Sequence, residues 1–231
     1  APMSLELIPL SPAIGAEVRG VDLGLPLDST TKTALLDAWH EHVILLFRDQ
    51  ELPGDALLRA ADWIGVLGAR ARPEDRRQEA DPYIMLVSNI RENGQPIGSL
   101  PDGEMWFHHD MAFVDIPHKA TFLHAVEIPS SGGHTLYANM YAAYDRLPQE
   151  LKDALAGKQV HQIFDFGQTG MADLENLDGI KHAIQPAVVQ HPATGKPALY
   201  VNRLMSATII GMNQQEARQL LDAVIPYAED P

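Results

Sequence analysis

The 231-residue sequence contains no cysteine. Disulfide bonds, thiolate catalysis and cysteine-ligated zinc or iron-sulfur centres are therefore excluded within these residues. A metal bound by this chain has to use histidine and carboxylate side chains. The sequence has 10 histidines and 31 acidic residues from which such a site can be built.

Long apolar runs are also absent. The longest compact apolar segment, VILLF at 43–47, is too short to cross a bilayer. The first residues, APMSLELIPLSP, lack the basic region followed by an apolar stretch that marks a secretory signal. We therefore expect a cytoplasmic protein with no membrane contact.

Positive charge is scarce. The 17 basic residues against 31 acidic ones leave a formal net charge of -14, and such a surface repels nucleic acid and anionic lipid. Nucleotide chemistry has no support either, because GARAR and SGGHT match no phosphate-binding loop. Small molecules are the expected partners, and an anionic substrate would need a local basic site.

Short alternating segments separated by glycine and proline indicate a β-rich single domain over residues 1–231. The predicted strands are 5–10, 15–23, 42–50, 83–90, 119–129, 134–140 and two within 183–203. One predicted helix has Ser29 or Thr30 as its N-cap, and a second starts near Asp55. Two more cover 141–157 and about 214–228, the last with Asn213 and Glu216 as a capping box. Residues 69–82 are expected to form a surface loop or lid. The pattern is typical of a jelly-roll or sandwich core with flanking helices.

The segment EMWFHHDMAF, residues 104–113, is the strongest candidate for chemistry. In a strand, His108 and Asp110 would point to one face and His109 to the other, with about 6.5 Å between the first two Cα atoms. One carboxylate and two histidines on one face of an octahedron suit a non-haem Fe(II) oxygenase. The bare pattern is weak, since roughly one His-x-Asp is expected by chance, and the alternative is an exposed edge strand. His40 and His42 form a rival pair that we interpret as a surface feature.

Five motifs strengthen the metal interpretation. Along the chain these are LSPAIGAEVRGVDLGLPL, HVILLFRDQEL, WFHHDMAF, PSSGGHTLYANMYAAYDRLP and HPATGKPALYVNR. In this order they resemble the taurine and 2,4-dichlorophenoxyacetate dioxygenases, a family of Fe(II)- and 2-oxoglutarate-dependent enzymes. The resemblance implies a double-stranded β-helix (jelly roll), His108 and Asp110 as iron ligands, and Thr135 as a hydrogen-bond donor to a carboxylate of 2-oxoglutarate.

The resemblance also implies two groups that these residues do not supply. In the family, a second iron-binding histidine and an arginine that pairs with 2-oxoglutarate lie on the last core strands. Their motif has no counterpart here, so we expect both groups, and those strands, beyond Pro231. His191, in QHPATGK, is not taken as a substitute because it precedes a turn that resembles a hairpin of the family.

The implied reaction oxidises an aliphatic C-H bond of a small anionic organic substrate and converts 2-oxoglutarate and O2 into succinate and CO2. Met111 and Met205 occupy positions that resemble substrate-facing ones, and Arg70 or Arg72 could meet an anionic group. A homo-oligomer is expected by analogy.

Two other classes stay open at this point. One is a cupin-like metal enzyme, such as an isomerase or hydrolase, which would bind metal without releasing succinate. The other is a catalytically silent binding protein of the same fold, which would not bind Fe(II) tightly. A nucleic-acid demethylase is disfavoured by the acidic charge.

Overall fold

The computed structural model describes residues 5–69, 81–99, 105–164 and 174–230. Its five helices are α1 (Ser29–His42), α2 (Ala56–Ala60), α3 (Met140–Arg146), α4 (Gln149–Leu155) and α5 (Gln214–Ala228). Its ten strands are β1 (Glu6–Pro9), β2 (Ala16–Arg19), β3 (Leu45–Phe47), β4 (Arg91–Glu92), β5 (Gln95–Pro96), β6 (Gln159–Phe164), β7 (Lys181–Pro186), β8 (Val188–Gln190), β9 (Pro197–Leu199) and β10 (Ser206–Ile209).

The N-terminal part is a three-stranded sheet in the order β1-β2-β3. Strands β1 and β2 are antiparallel, whereas β3 returns parallel to β2 because α1 forms the crossover between them. Asp28 caps this helix, since its carboxylate accepts the Thr31 N-H at 2.7 Å. The predicted caps, Ser29 and Thr30, are therefore wrong by one or two positions; both lie inside the helix.

The C-terminal part is a second three-stranded sheet, β10-β6-β7, with α5 packed beside it. Asn213 caps α5 by accepting the Glu216 N-H at 2.9 Å, as predicted. The buried apolar face of α5 meets side chains of β6, β9 and β10 in one core cluster. This cluster includes Leu155, Val160, Leu199, Val201, Ile209, Leu221, Val224 and Ile225.

Several predicted strands are wrong. In the described part of the chain, no strand forms in three of the predicted segments, 83–90, 119–129 and 134–140, apart from an isolated bridge at Val87. Alternation of apolar and polar residues does not make a strand unless a neighbouring strand pairs with the segment. Strands β6 and β10 lie outside the predicted set. The helix expected over 141–157 is two helices, since Pro148 has no N-H and begins a new helix as its N-cap.

Other expectations hold. Asn93 and Gly94, both with positive φ, make the turn between β4 and β5, in keeping with glycine as a separator of short strands. Strands outnumber helices in the described residues, which confirms a β-rich fold with a few helices. None of the described helices is long and apolar enough to cross a membrane. Most of the expected loop at 69–82 falls outside the described residues.

The core cluster predicts a specific loss of stability. Leu221 is fully buried, so Leu221→Ala should lower the free energy of unfolding by about 2–5 kcal/mol, through lost burial and a cavity. Gln219→Ala, at an exposed position on the same helix, is the matched control and should change little. Urea denaturation of both variants measures the difference; equal small effects would show that α5 does not close the core.

Candidate metal centre

His108 and Asp110 converge on one point. The Nε2 atom of His108 lies 3.0 Å from Oδ1 of Asp110. The segment that carries them is irregular rather than a strand, and Met111 just after it has φ of +58°. The strand expectation for this segment is therefore wrong, but the convergence of the two side chains that it implied is observed.

Each of the two side chains is oriented by a further hydrogen bond. Nδ1 of His108 donates to the carbonyl of Trp106 at 2.8 Å, which directs Nε2 at Asp110. The Thr121 hydroxyl donates to Oδ2 of Asp110 at 2.7 Å, which leaves Oδ1 toward the imidazole. Such outer bonds fix the tautomer and ring orientation of metal-binding histidines.

The pair is also electrostatically matched. The hydrogen bond from His108 holds the pKa of the Asp110 carboxyl below its usual range, with a smaller contribution from Thr121. The same bond to Asp110 raises the pKa of His108, against the opposing effect of burial. A metal that binds here would have to replace the proton between the two groups, because ligation needs the free Nε2 lone pair.

The geometry of the pair fits a divalent metal. Two donor atoms that lie about 2.1 Å from one ion at a right angle are about 3.0 Å apart, which is the separation of Nε2 and Oδ1 here. The side chains are 31% and 47% exposed, so one side of the pair is open. Within the described ranges, no group of three or more histidines and carboxylates gathers around an ion site.

His109 points away from the pair. Its ring packs on Tyr200, with ring centroids 4.5 Å apart, and its Nδ1 lies 3.3 Å from the amide nitrogen of Asn202. Burial, reinforced by the positive charge of His108, lowers the pKa of His109 to about 4. This imidazole is therefore neutral at physiological pH, and it faces away from His108 and Asp110, as the alternating pattern predicted.

The other residues expected at the site have different placements. Thr135 is exposed, and burial, with a smaller contribution from the Asp110 charge, raises the pKa of Tyr137 two residues later. Met111 is partly buried against the cluster of Ala112 and Phe113, and Met205 lies within that cluster at 4% exposure. A substrate contact of either methionine stays a prediction. Arg70 and Arg72 lie outside the described residues.

The rival histidines do not join the pair. His40 packs edge to face on His191, with ring centroids 5.4 Å apart, and its Nε2 is buried without a partner among the described residues. Nδ1 of His191 accepts the N-H groups of Ala193 and Thr194, so this ring stabilises its own turn, in keeping with its rejection as a ligand. His42 lies in the last turn of α1.

Sequence patterns gave no indication of Thr121. It approaches Asp110 across eleven positions, and a threonine in an apolar segment has no local feature that marks it as the partner of a carboxylate. The same holds for Asn202, which reaches His109 from 93 positions away. Contacts of this kind follow from the tertiary fold alone.

Comparison with known proteins identifies the family of this chain. The family model described as "Taurine catabolism dioxygenase TauD, TfdA family" matches residues 6–231. Pentalenolactone F synthase of Streptomyces avermitilis is 30% identical over 99% of this chain and 80% of its own length. The (S)-phenoxypropionate/alpha-ketoglutarate-dioxygenase of Delftia acidovorans is 26% identical over 97% and 80%. A taurine dioxygenase structure from Burkholderia xenovorans is 26% identical, with a TM-score of 0.78 over 99% of this chain and 74% of that one.

The chain belongs to the TauD, TfdA family of dioxygenases. The predicted resemblance is thereby confirmed, and with it the assignment to the 2-oxoglutarate-dependent dioxygenases. Fe(II) and 2-oxoglutarate are the cofactor and co-substrate that this class implies.

Replacing the carboxylate tests the electrostatic coupling of the pair. Asp110→Asn should lower the pKa of His108, because the raised value depends first on the hydrogen bond to Asp110. NMR titration of the metal-free protein measures this change. Asp115→Asn, five residues away at an exposed position, is the control and should leave the pKa of His108 unchanged. An unchanged His108 pKa in Asp110→Asn would show that the two groups do not interact in solution.

Thr121 should support metal binding through Asp110. Thr121→Val removes the hydroxyl at nearly constant volume, and loss of such an outer hydrogen bond typically weakens metal affinity by about 10- to 100-fold. Titration with Mn(II), followed by the electron paramagnetic resonance signal of free Mn(II), measures the affinity. Thr121→Ser keeps the donor and should bind as the unchanged protein does. Equal Mn(II) affinity of the valine and serine variants would show that the Thr121 hydroxyl does not contribute to metal binding.

Proposed function

We propose that this protein is an Fe(II)- and 2-oxoglutarate-dependent dioxygenase that oxidises an aliphatic C-H bond of a small anionic organic molecule and releases succinate and CO2. The observation that carries the proposal is the convergence of His108 Nε2 and Asp110 Oδ1 at 3.0 Å on a side open to solvent. Family membership supplies the reaction class.

In this proposal His108 and Asp110 hold the iron through Nε2 and a carboxylate oxygen. The bound iron supplies the capacity to activate O2 at the expense of 2-oxoglutarate. The carbonyl of Trp106 keeps the imidazole aimed at the ion, and the Thr121 hydroxyl holds the carboxylate against rotation. Because His108 and Asp110 would occupy one side of the iron, the opposite side of the ion would be left for the co-substrate and oxygen.

The remaining parts of the site are also proposals. Thr135 would donate its hydroxyl to a 2-oxoglutarate carboxylate, and the third ligand and the paired arginine are expected from residues after Pro231. The jelly-roll arrangement of the core strands belongs to the same proposal.

The substrate class rests on the relatives and on local chemistry. Proteins similar to this chain include a phenoxypropionate dioxygenase and a taurine dioxygenase, so small carboxylates and sulfonates are the first compounds to examine. Met111, partly buried just after the ligand pair, could line an apolar part of the pocket. The net charge of -14 requires that a local basic group receive the anionic end.

Succinate release tests the proposed function. The protein is incubated in air with Fe(II) and 2-oxoglutarate while small carboxylates and sulfonates are screened, and a true substrate should stimulate succinate formation. His108→Ala should abolish this release because it removes a ligand. His42→Ala, from the rival pair, is the matched control and should retain it. Metal binding with no succinate would instead indicate a metal enzyme that does not use 2-oxoglutarate, and absent Fe(II) binding would indicate a silent binding protein.

A further inference from the structure

A buried polar cluster lies behind the metal ligands. It consists of Gln162 on β6, Asn202 after β9, Ser206 at the start of β10 and the imidazole of His109. Gln162 is fully buried, Asn202 is 2% exposed and Ser206 is 5% exposed. Buried amides are costly unless every polar atom has a partner, so the partners of this cluster show what it holds in place.

Backbone groups fix the orientation of both amides. The Met205 N-H can only donate, and it lies 2.8 Å from Oδ1 of Asn202, so Nδ2 of Asn202 is the donor side. Nε2 of Gln162 donates to the Tyr200 carbonyl at 3.0 Å. Its Oε1 therefore accepts from the Ser206 hydroxyl at 3.0 Å and from Asn202 at 3.4 Å.

These orientations determine how His109 is held. Nδ2 of Asn202 faces Nδ1 of His109 at 3.3 Å, so Nδ1 has to be the acceptor and the ring proton is on Nε2. The carbonyl of Leu199 accepts a hydrogen bond from the ring, and the face of the ring packs on Tyr200. The imidazole is thus fixed on two edges and one face, by Leu199 at the end of β9 and by Tyr200 and Asn202 just after it.

The backbone of the ligand segment has few other hydrogen bonds to the sheets among the described residues; one lies at its end, where the Val114 carbonyl accepts from Nε2 of Gln185 on β7 at 2.6 Å. Residues 105–114 form no sheet ladder in the described structure. The Ala112 N-H bonds to the His109 carbonyl at 3.3 Å, which closes a local turn rather than joining another element. The side chain of His109 therefore supplies a direct hydrogen-bonded link from this turn to the β-sheet core.

We propose that His109, held by Gln162, Asn202 and Ser206, is the positioning residue of the metal centre: its fixed imidazole sets the backbone from which His108 and Asp110 converge. This inference rests on the proposed function for its catalytic meaning. The middle residue of the motif is then a structural part of the site, and β6 and β10 are coupled to the ligands through it.

Hydrogen exchange in the metal-free protein tests the proposal. His109→Phe keeps an aromatic ring against Tyr200 but removes both ring hydrogen bonds. The Ala112 amide, which is fully buried, should then exchange about tenfold faster or more relative to amides in the middle of α5. His109→Asn, whose oxygen can take the place of Nδ1, should restore part of the protection. Leu221→Ala is the control for general destabilisation and should not speed exchange of the Ala112 amide relative to the amides in the middle of α5.

A second variant and a second readout complete the test. Gln162→Met removes the far end of the cluster without changing the ligand segment, and should speed Ala112 exchange less than His109→Phe does. Mn(II) affinity should fall by about 10- to 100-fold in His109→Phe and be kept in Leu221→Ala. Unchanged Ala112 exchange in both His109→Phe and Gln162→Met would overturn the proposal. If Ala112 exchange changes as expected but the protein never releases succinate, the positioning role of His109 is supported and the proposed function is contradicted.

Discussion

The candidate metal centre depends on one short contact, the 3.0 Å approach of the His108 imidazole to the Asp110 carboxylate. Two side chains separated by a single residue meet only if their shared backbone is held in one conformation. Three hydrogen bonds do this, from His108 to the Trp106 carbonyl, from Thr121 to Asp110, and from Asn202 to His109. The first of these bonds is local, whereas the other two come from residues farther along the chain, so the orientation of two side chains that are close in sequence depends on the tertiary fold as well.

The hydrogen bonds around His108 and Asp110 and the pKa shifts of the two side chains both favour an ionised carboxylate next to the imidazole. The Trp106 carbonyl accepts a hydrogen bond from the Nδ1 proton, which leaves Nε2 as the ligating atom of the proposed site, and the Thr121 hydroxyl stabilises the ionised carboxylate. The raised pKa of His108 and the lowered pKa of Asp110 have the same main cause, the hydrogen bond between the two side chains. A divalent cation can replace the shared proton without moving either side chain far, which is the physical sense in which the site is prepared for a metal.

Local sequence signals predicted the local features. Alternation along residues 108–110 predicted which side chains share a direction, and the Asn213 and Glu216 pattern predicted the start of α5. Prediction failed where a long-range partner decides the structure. Residues 119–129 alternate like a strand but lack a ladder, Pro148 divides a helix that periodicity alone joins, and β6 was missed although it lies at the centre of its sheet. Thr121 and Asn202 have no recognisable motif, because their roles exist only through contacts distant in sequence.

The most direct test of the central claim is the position of a bound metal. A crystal structure of the Mn(II)-loaded protein, with anomalous scattering to locate the ion, should show it within ligand distance of both His108 Nε2 and an Asp110 carboxylate oxygen, with Nδ1 of His108 still bonded to the Trp106 carbonyl. An ion bound elsewhere, with the direct bond between His108 and Asp110 intact, would contradict the account.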